Sequence, residues 1–138
     1  MRLWHKDLIP VLPRQQLIGQ WRECCLIAKQ ISEKGEPNHI LVNKIMDYPI
    51  VHLYRYGRIV YAQMMKRGYK ADWFKFSEYS CFDDMSSEYQ YDDLFENWHN
   101  DRYLKQCYFN LQEKFDCDGI GIIEWEKMAD FIEKYEWR

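Results

Sequence analysis

Leu12-Pro13-Arg14-Gln15-Gln16-Leu17-Ile18-Gly19-Gln20-Trp21-Arg22-Glu23-Cys24-Cys25 is the stretch whose reading decides the fold. Pro13 suits the first position of a helix, where its missing N–H has no partner to lose. From there Leu17, Trp21, Cys24, Cys25, Ala28 and Ile31 recur at three- and four-residue steps, an apolar stripe of helical period. Gly35 and Pro37 stop it, so the spacing predicts a helix over about 13–34. The polar side carries one acid, Glu23, among two arginines and three glutamines, close behind the N-terminus. Such a carboxylate admits two readings: part of the solvated face of an ordinary amphipathic helix, or an acid/base group for a phosphate-bearing ligand. On a helix Gln16, Gly19 and Gln20 share the face of Glu23. Gly19 there either leaves room for a sugar-sized group or lets another helix approach.

Upstream lies an arm, residues 1–12, with apolar anchors Leu3, Trp4, Leu8 and Ile9 and a break at Pro10/Pro13. Downstream, residues 36–50 read as a loop with a short apolar piece from Ile40 to Ile45, of one helical turn or two. Pro49 introduces a second helix, about 50–67, carrying Val51, Tyr54, Ile59, Ala62 and Met65. It ends at Lys66-Arg67-Gly68, cations in the last turn followed by a glycine stop. Residues 69–97 are acidic and aromatic with little period. Asp83, Asp84, Glu88, Asp92, Asp93 and Glu96 fit a solvated loop or short-helix region, although paired carboxylates are also the type that binds a divalent cation. A third helix is predicted over about 98–115 and a fourth over about 123–136, joined by a turn at Asp116–Gly121. Asp116-Cys117-Asp118-Gly119 lacks the later ligands of a calcium loop. No strand alternation appears. The expected fold is all-α: a single compact domain, 1–138, of three main helices plus a C-terminal helix, with Trp21, Cys25, Tyr54, Leu104 and Leu111 in one core.

The chain has 138 residues, 47% of them apolar and 17% aromatic, with eleven Tyr and six Trp. Rings in that number fill a core and its rim or stack on bases. The five cysteines are odd in number, include the adjacent pair Cys24-Cys25 and have no C-x-x-C spacing, which suits reduced thiols in a cytoplasmic setting. Cys81, Cys107, Cys117 and His99 are of zinc-ligating type without zinc-site spacing. No apolar run approaches the roughly 20 residues of a membrane span. The net charge of −3 is unevenly spread. Residues 1–70 hold 12 Lys/Arg against 5 Asp/Glu, a balance of +7, and residues 71–138 hold 7 against 17, a balance of −10. An acidic total disfavours generic nucleic-acid binding, but a basic half leaves one face available for it.

The stretch Leu12 to Glu23, above all Gln15, Leu17 and Arg22-Glu23, resembles the N-terminal helix of the pyrimidine-dimer DNA glycosylase/AP lyase family. Lys66-Arg67-Gly68-Tyr69, and Leu111-Gln112-Glu113-Lys114 preceded by His99, are further matches. The opening Met-Arg-Leu-Trp-His and the Trp98-His99…Gln106-Cys107…Asn110-Leu111 pattern look like a cellular branch of that family. The resemblance implies an all-α monomer without metal or cofactor that acts on damaged double-stranded DNA. It implies cleavage of the glycosidic bond of a damaged pyrimidine, then strand nicking by β-elimination through a Schiff base on the chain's α-amine. By position, Met1 supplies the amine and Glu23 the proton-handling carboxylate. Arg22 contacts phosphate or base, Gln15 lies near the opened duplex and Lys114 holds backbone phosphate. Arg2, Gln16 and Lys29 complete the expected substrate-binding set. An α-amine has a reference pKa of roughly 7.7–8, so a useful fraction is nucleophilic near neutrality. The chain departs from the family pattern in three places. Arg2 blocks removal of Met1, Leu26 replaces an arginine on the first helix, and Asn110 replaces one on the third. A non-catalytic relative that binds protein or a small ligand on the same scaffold is the alternative.

Overall fold

The computed structural model describes residues 1–80 and 93–137. Among them the chain forms α1 (Arg14–Lys34), α2 (Val51–Lys66), α3 (Trp73–Ser80), α4 (Asp101–Asp116) and α5 (Ile122–Lys134), with 3-10 turns at Lys6–Val11 and Asn43–Asp47 and no strand. The all-α expectation holds. Helix α1 packs against α2 and α3, while the first 3-10 turn packs against α2 and α5.

Each boundary has a local cause. Pro13 sits one residue ahead of α1, and its extended ψ of 154° lets its carbonyl accept the Leu17 N–H at 3.0 Å. Proline's neighbours offer no capping side chain, so α5 supplies one. Glu124 Oε2 accepts the Arg14 N–H at 2.6 Å, a carboxylate at the positive end of the helix dipole. Gly35 ends α1 with φ 82°. Gly68, φ 76°, ends α2 in a Schellman turn: Tyr69 N–H donates to Met64 O and Gly68 N–H to Met65 O. Arg67 then reaches back to the carbonyls of Leu12 (2.7 Å) and Pro10 (3.0 Å). The Arg67-Gly68 pair therefore braces the entry to α1.

The structure differs from the spacing in two respects. The third predicted helix begins at Asp101 rather than near 98, because Asn100 caps it through Oδ1 (Tyr103 N–H, 2.9 Å). Residues 95–99 instead form a tight turn in which Phe95 and Asn97 take φ 53° and 69°. The arm, despite Pro10, coils into a 3-10 turn. Helix α3 is a short helix within 69–97, and the turn at Asn43–Asp47 follows the apolar piece near Ile40, both within the readings the sequence allowed. Asp83, Asp84, Glu88, Asp92 and Cys81 lie outside the described residues.

One hydrophobic core runs through all of these elements. Trp21, Cys25, Leu104 and Leu111 are buried in it as expected; Tyr54 lies half-buried against it, and the fully buried tyrosine of α2 is Tyr56. Two ring clusters account for much of the aromatic content. Trp21, Tyr61, Trp73 and Phe76 join α1, α2 and α3, with Phe76 seated so closely over Gly57 that a Cβ there would lie 2.2 Å from the ring. His5, Tyr56, Phe95, Trp98, His99 and Tyr103 join the arm to the turn before α4. Fully burying an apolar ring such as Phe76 contributes roughly 1.5–3 kcal/mol.

Candidate active site

The arm is tied to α1 by one side chain. Gln20, almost fully buried, accepts the Trp4 N–H on Oε1 at 2.7 Å and donates from Nε2 to the Arg2 carbonyl at 3.1 Å. That pairing fixes the amide orientation, since only the oxygen can receive a backbone N–H. Tyr56 donates its hydroxyl to Trp4 O at 2.6 Å, with Gln20 Oε1 a second acceptor at 2.9 Å. Tyr103 donates to Leu3 O at 2.6 Å. Residues 2–4 are thus held along α1 by side chains from α1, α2 and α4.

This places the chain's first residues over Glu23. The Arg2 N–H donates to Glu23 Oε2 at 3.4 Å, and Gln20 Nε2 approaches the same oxygen at 3.4 Å. Burial pushes the Glu23 carboxyl above the ordinary carboxylate range. The strongest charge pulling it back is the Met1 α-ammonium, followed by the Arg2 N–H bond and the charges of His39 and Arg2. A half-buried carboxyl with a raised pKa beside an amine is suited to exchanging protons with it. Gly19, one turn away, has nothing within 4 Å of a Cβ built on it, so it leaves open space rather than a close helix contact.

A cleft of about 310 Å³ shares Arg2 with this site. Arg2, Lys44 and Arg102 line it with the rings of Trp98 and Tyr103 and the apolar pair Ile40-Leu41. Arg2 belongs to both cleft and carboxylate site, and its guanidinium sits 5.3 Å from the Trp4 ring centroid. His39 precedes the apolar pair, and its Nδ1 accepts the Leu41 N–H at 3.2 Å.

The expected residues separate into groups. Met1, Arg2 and Glu23 come together, with Met1 half-buried against the core. Gln15, Arg22 and Lys29 are exposed on one stripe of α1, seven residues apart, with Leu26 on the same stripe. Gln16 is buried on the Glu23 side, and its Oε1 has no partner among the described residues. Lys114 is exposed at the end of α4 with its stem against Gly119, and no contact among the described residues joins it to Glu23. The sequence reading missed Gln20 as the arm's clamp, His39 and the Lys44–Arg102 cleft. Gln20 carried a signal, three residues before Glu23; the other two depend on chain reversals. Among the described residues no three His, Cys, Asp or Glu groups cluster as metal ligands, and no helix is long and apolar enough to cross a membrane.

The arm is also held by a buried histidine pair. His5 and His99 stack at 5.2 Å; His5 donates Nε2–H to His99 O, and the N–H groups of Asp7 and Lys6 donate to His5 Nδ1 and His99 Nδ1. Both rings are therefore neutral. Burial lowers the His5 pKa to about 4 against an opposing pull from Asp7, and it holds His99 well below the usual histidine range. Folded-state values below the unfolded one mean that stability is full above about pH 6.5 and falls as the unfolded chain takes up protons first. His5 alone contributes a loss of roughly 3 kcal/mol by pH 4, at 1.36 kcal/mol per pH unit. Glu23, whose carboxyl is raised, works in the opposite sense and offsets a small part. Urea midpoints measured from pH 7.5 to 4 are expected to fall steeply below 6.5 and less steeply in His5→Asn; a flat wild-type profile would contradict the neutral pair.

Residues 1–75 match the family described as pyrimidine dimer DNA glycosylase. No curated protein and no solved structure matches the chain. The matched segment holds the arm, the whole of α1 and α2 and the Schellman turn, and hence Met1, Arg2, Gln20 and Glu23; Lys114, His99 and Asn110 lie beyond it. With more than half of its length matched and an all-helical fold that sets an N-terminal amine beside a helix carboxylate, the chain belongs to the pyrimidine dimer DNA glycosylase family.

Proposed function

We propose that this chain removes damaged pyrimidines from double-stranded DNA and nicks the strand through an imine on the Met1 amine. The observation that carries the reading is the Arg2 N–H donating to Glu23 at 3.4 Å, which sets the first residue's amine beside the carboxylate. The neutral amine attacks C1′ of the sugar while the bond to the base breaks and the base leaves with the electron pair, taking up a proton from solvent. Glu23 receives the proton released by the new C1′–N bond and passes it to O4′ as the C1′–O4′ bond opens, leaving the imine. Transfer of a C2′ proton to Glu23, ionised again once O4′ has its proton, forms the C2′=C3′ double bond and expels the phosphate oxygen from C3′, which is the nick. Water hydrolyses the imine and restores the amine. Before it takes the amine's proton, and again after giving it up, the ionised carboxylate stabilises positive charge at C1′ and on the nitrogen. The sugar reaches these groups only when its nucleotide leaves the stack. Arg22, Gln15, Lys29 and, farther away, Lys114 offer polar contacts to the duplex on the exposed side, and Gln16 lies inward of them.

Borohydride trapping on duplex DNA carrying an abasic site tests the reading. The protein is expected to form a covalent adduct, and acetylation of the α-amine to abolish it. Adducts that survive acetylation would assign the nucleophile to a lysine. Absence of any adduct from untreated protein, on abasic or dimer-containing DNA, would leave a non-catalytic scaffold.

A further inference from the structure

We infer that the cleft formed by Arg2, Lys44 and Arg102 is this chain's backbone-phosphate clamp, seating the DNA strand that enters Glu23. The inference rests on the proposed action on DNA. Three cations from separate parts of the chain meet here: the arm, the turn at Asn43–Asp47 and the first turn of α4. No described residue lining the cleft is acidic, in a chain whose net charge is −3. Convergence of like charges is unfavourable unless an anion offsets it, and guanidinium forks match phosphate oxygens in two-point contacts. The rest of the lining suits a nucleotide better than an acidic peptide. Trp98 and Tyr103 present ring surface, Asn97, Asn100 and Gln106 present amides, and Ile40, 85% exposed, forms an apolar lip.

The position fits as well. Arg2 touches Glu23 through its backbone and the cleft through its side chain, so a phosphate held there lies next to the sugar being cleaved.

The test compares wild type, the double variant Lys44→Ala/Arg102→Ala, and a charge-matched control, Lys70→Ala/Lys127→Ala. All four residues are exposed, so the fold tolerates the changes. The binding probe is duplex DNA with one tetrahydrofuran abasic analogue, titrated from 50 to 300 mM salt; trapping uses a true abasic site. The double variant is expected to bind about tenfold or more weakly at low salt. Its slope of log affinity against log salt should be shallower by about 1.8, two phosphate contacts at roughly 0.9 each, with the control near wild type. If wild type binds and traps but the double variant keeps its slope, or the control loses as much, the clamp is overturned while the enzymatic reading stands. If binding depends on Lys44 and Arg102 yet nothing traps, the clamp stands and the enzymatic reading fails. If polyglutamate binds wild type as tightly as DNA and loses affinity in the same variant, the cleft is a peptide site and the proposal is overturned. Wild type that does not bind DNA at 50 mM salt overturns both.

Discussion

Glu23→Gln is expected to lower base-excision turnover by about 10²–10⁴-fold, the range over which a positioned proton-transfer group acts, while fold and DNA affinity stay close to wild type. The reason lies in what the substitution keeps. A glutamine carbonyl oxygen still accepts the Arg2 N–H, and a neutral amide suits a site whose burial already disfavours the charged carboxylate. What disappears is the group that takes the amine proton, together with the negative charge facing the cationic sugar. Wild-type activity should fall on the acid side at a pH above the ordinary carboxylate range, since burial raises this carboxyl, and Glu23→Gln should lose that limb. The checks are excision of dimers from an irradiated duplex across pH 4.5–8, a thermal midpoint and a binding isotherm. Turnover within tenfold of wild type would remove Glu23 from the chemistry.

The second large effect concerns a residue that touches no substrate. Gln20→Ala strips the Trp4 N–H and the Arg2 carbonyl of their partners and leaves Tyr56 with one acceptor instead of two. Unsatisfied buried groups cost about 1–3 kcal/mol each, so a loss of roughly 2–4 kcal/mol in stability is expected. The larger consequence is for the amine, because the arm that carries Met1 is released from α1, and a misplacement of about 1 Å can cost 10²-fold in rate. Gln20 is in this sense a positioning residue. Gln20→Glu separates position from stability. It keeps an acceptor for Trp4 but loses the donor to Arg2, and it adds a carboxylate beside Glu23 that moves the acid limb to still higher pH. A folded Gln20→Glu protein with wild-type rate and an unmoved limb would show that the clamp contributes to stability alone.

The sequence by itself determined the helical framework and singled out Glu23 as the candidate carboxylate. Apolar residues at three- and four-residue steps, Pro13, Gly35 and Gly68 define α1 and α2 because helix period and helix stops are local properties, legible without knowing the partner. The Arg22-Glu23 pair and the residues around it carried the family resemblance, and the match over residues 1–75 upholds it. Other features needed the assembled chain. Phe95 and Asn97 turn left-handed, and α4 starts at Asp101, because buried rings and the Asn100 cap outweigh local spacing. Arg67, a cation at a helix end, became a brace for the Pro10 and Leu12 carbonyls. Glu124 caps a helix 110 residues away in sequence. Above all, the site is a meeting of segments. The arm reaches Glu23 only because Gln20, Tyr56 and Tyr103 hold its backbone, and Lys44 and Arg102 join Arg2 only once the loop and α4 are in place. Periodicity reports which side of an element is buried; it carries no record of which distant side chain will satisfy a backbone group or share a cleft, and those long-range pairings make this site.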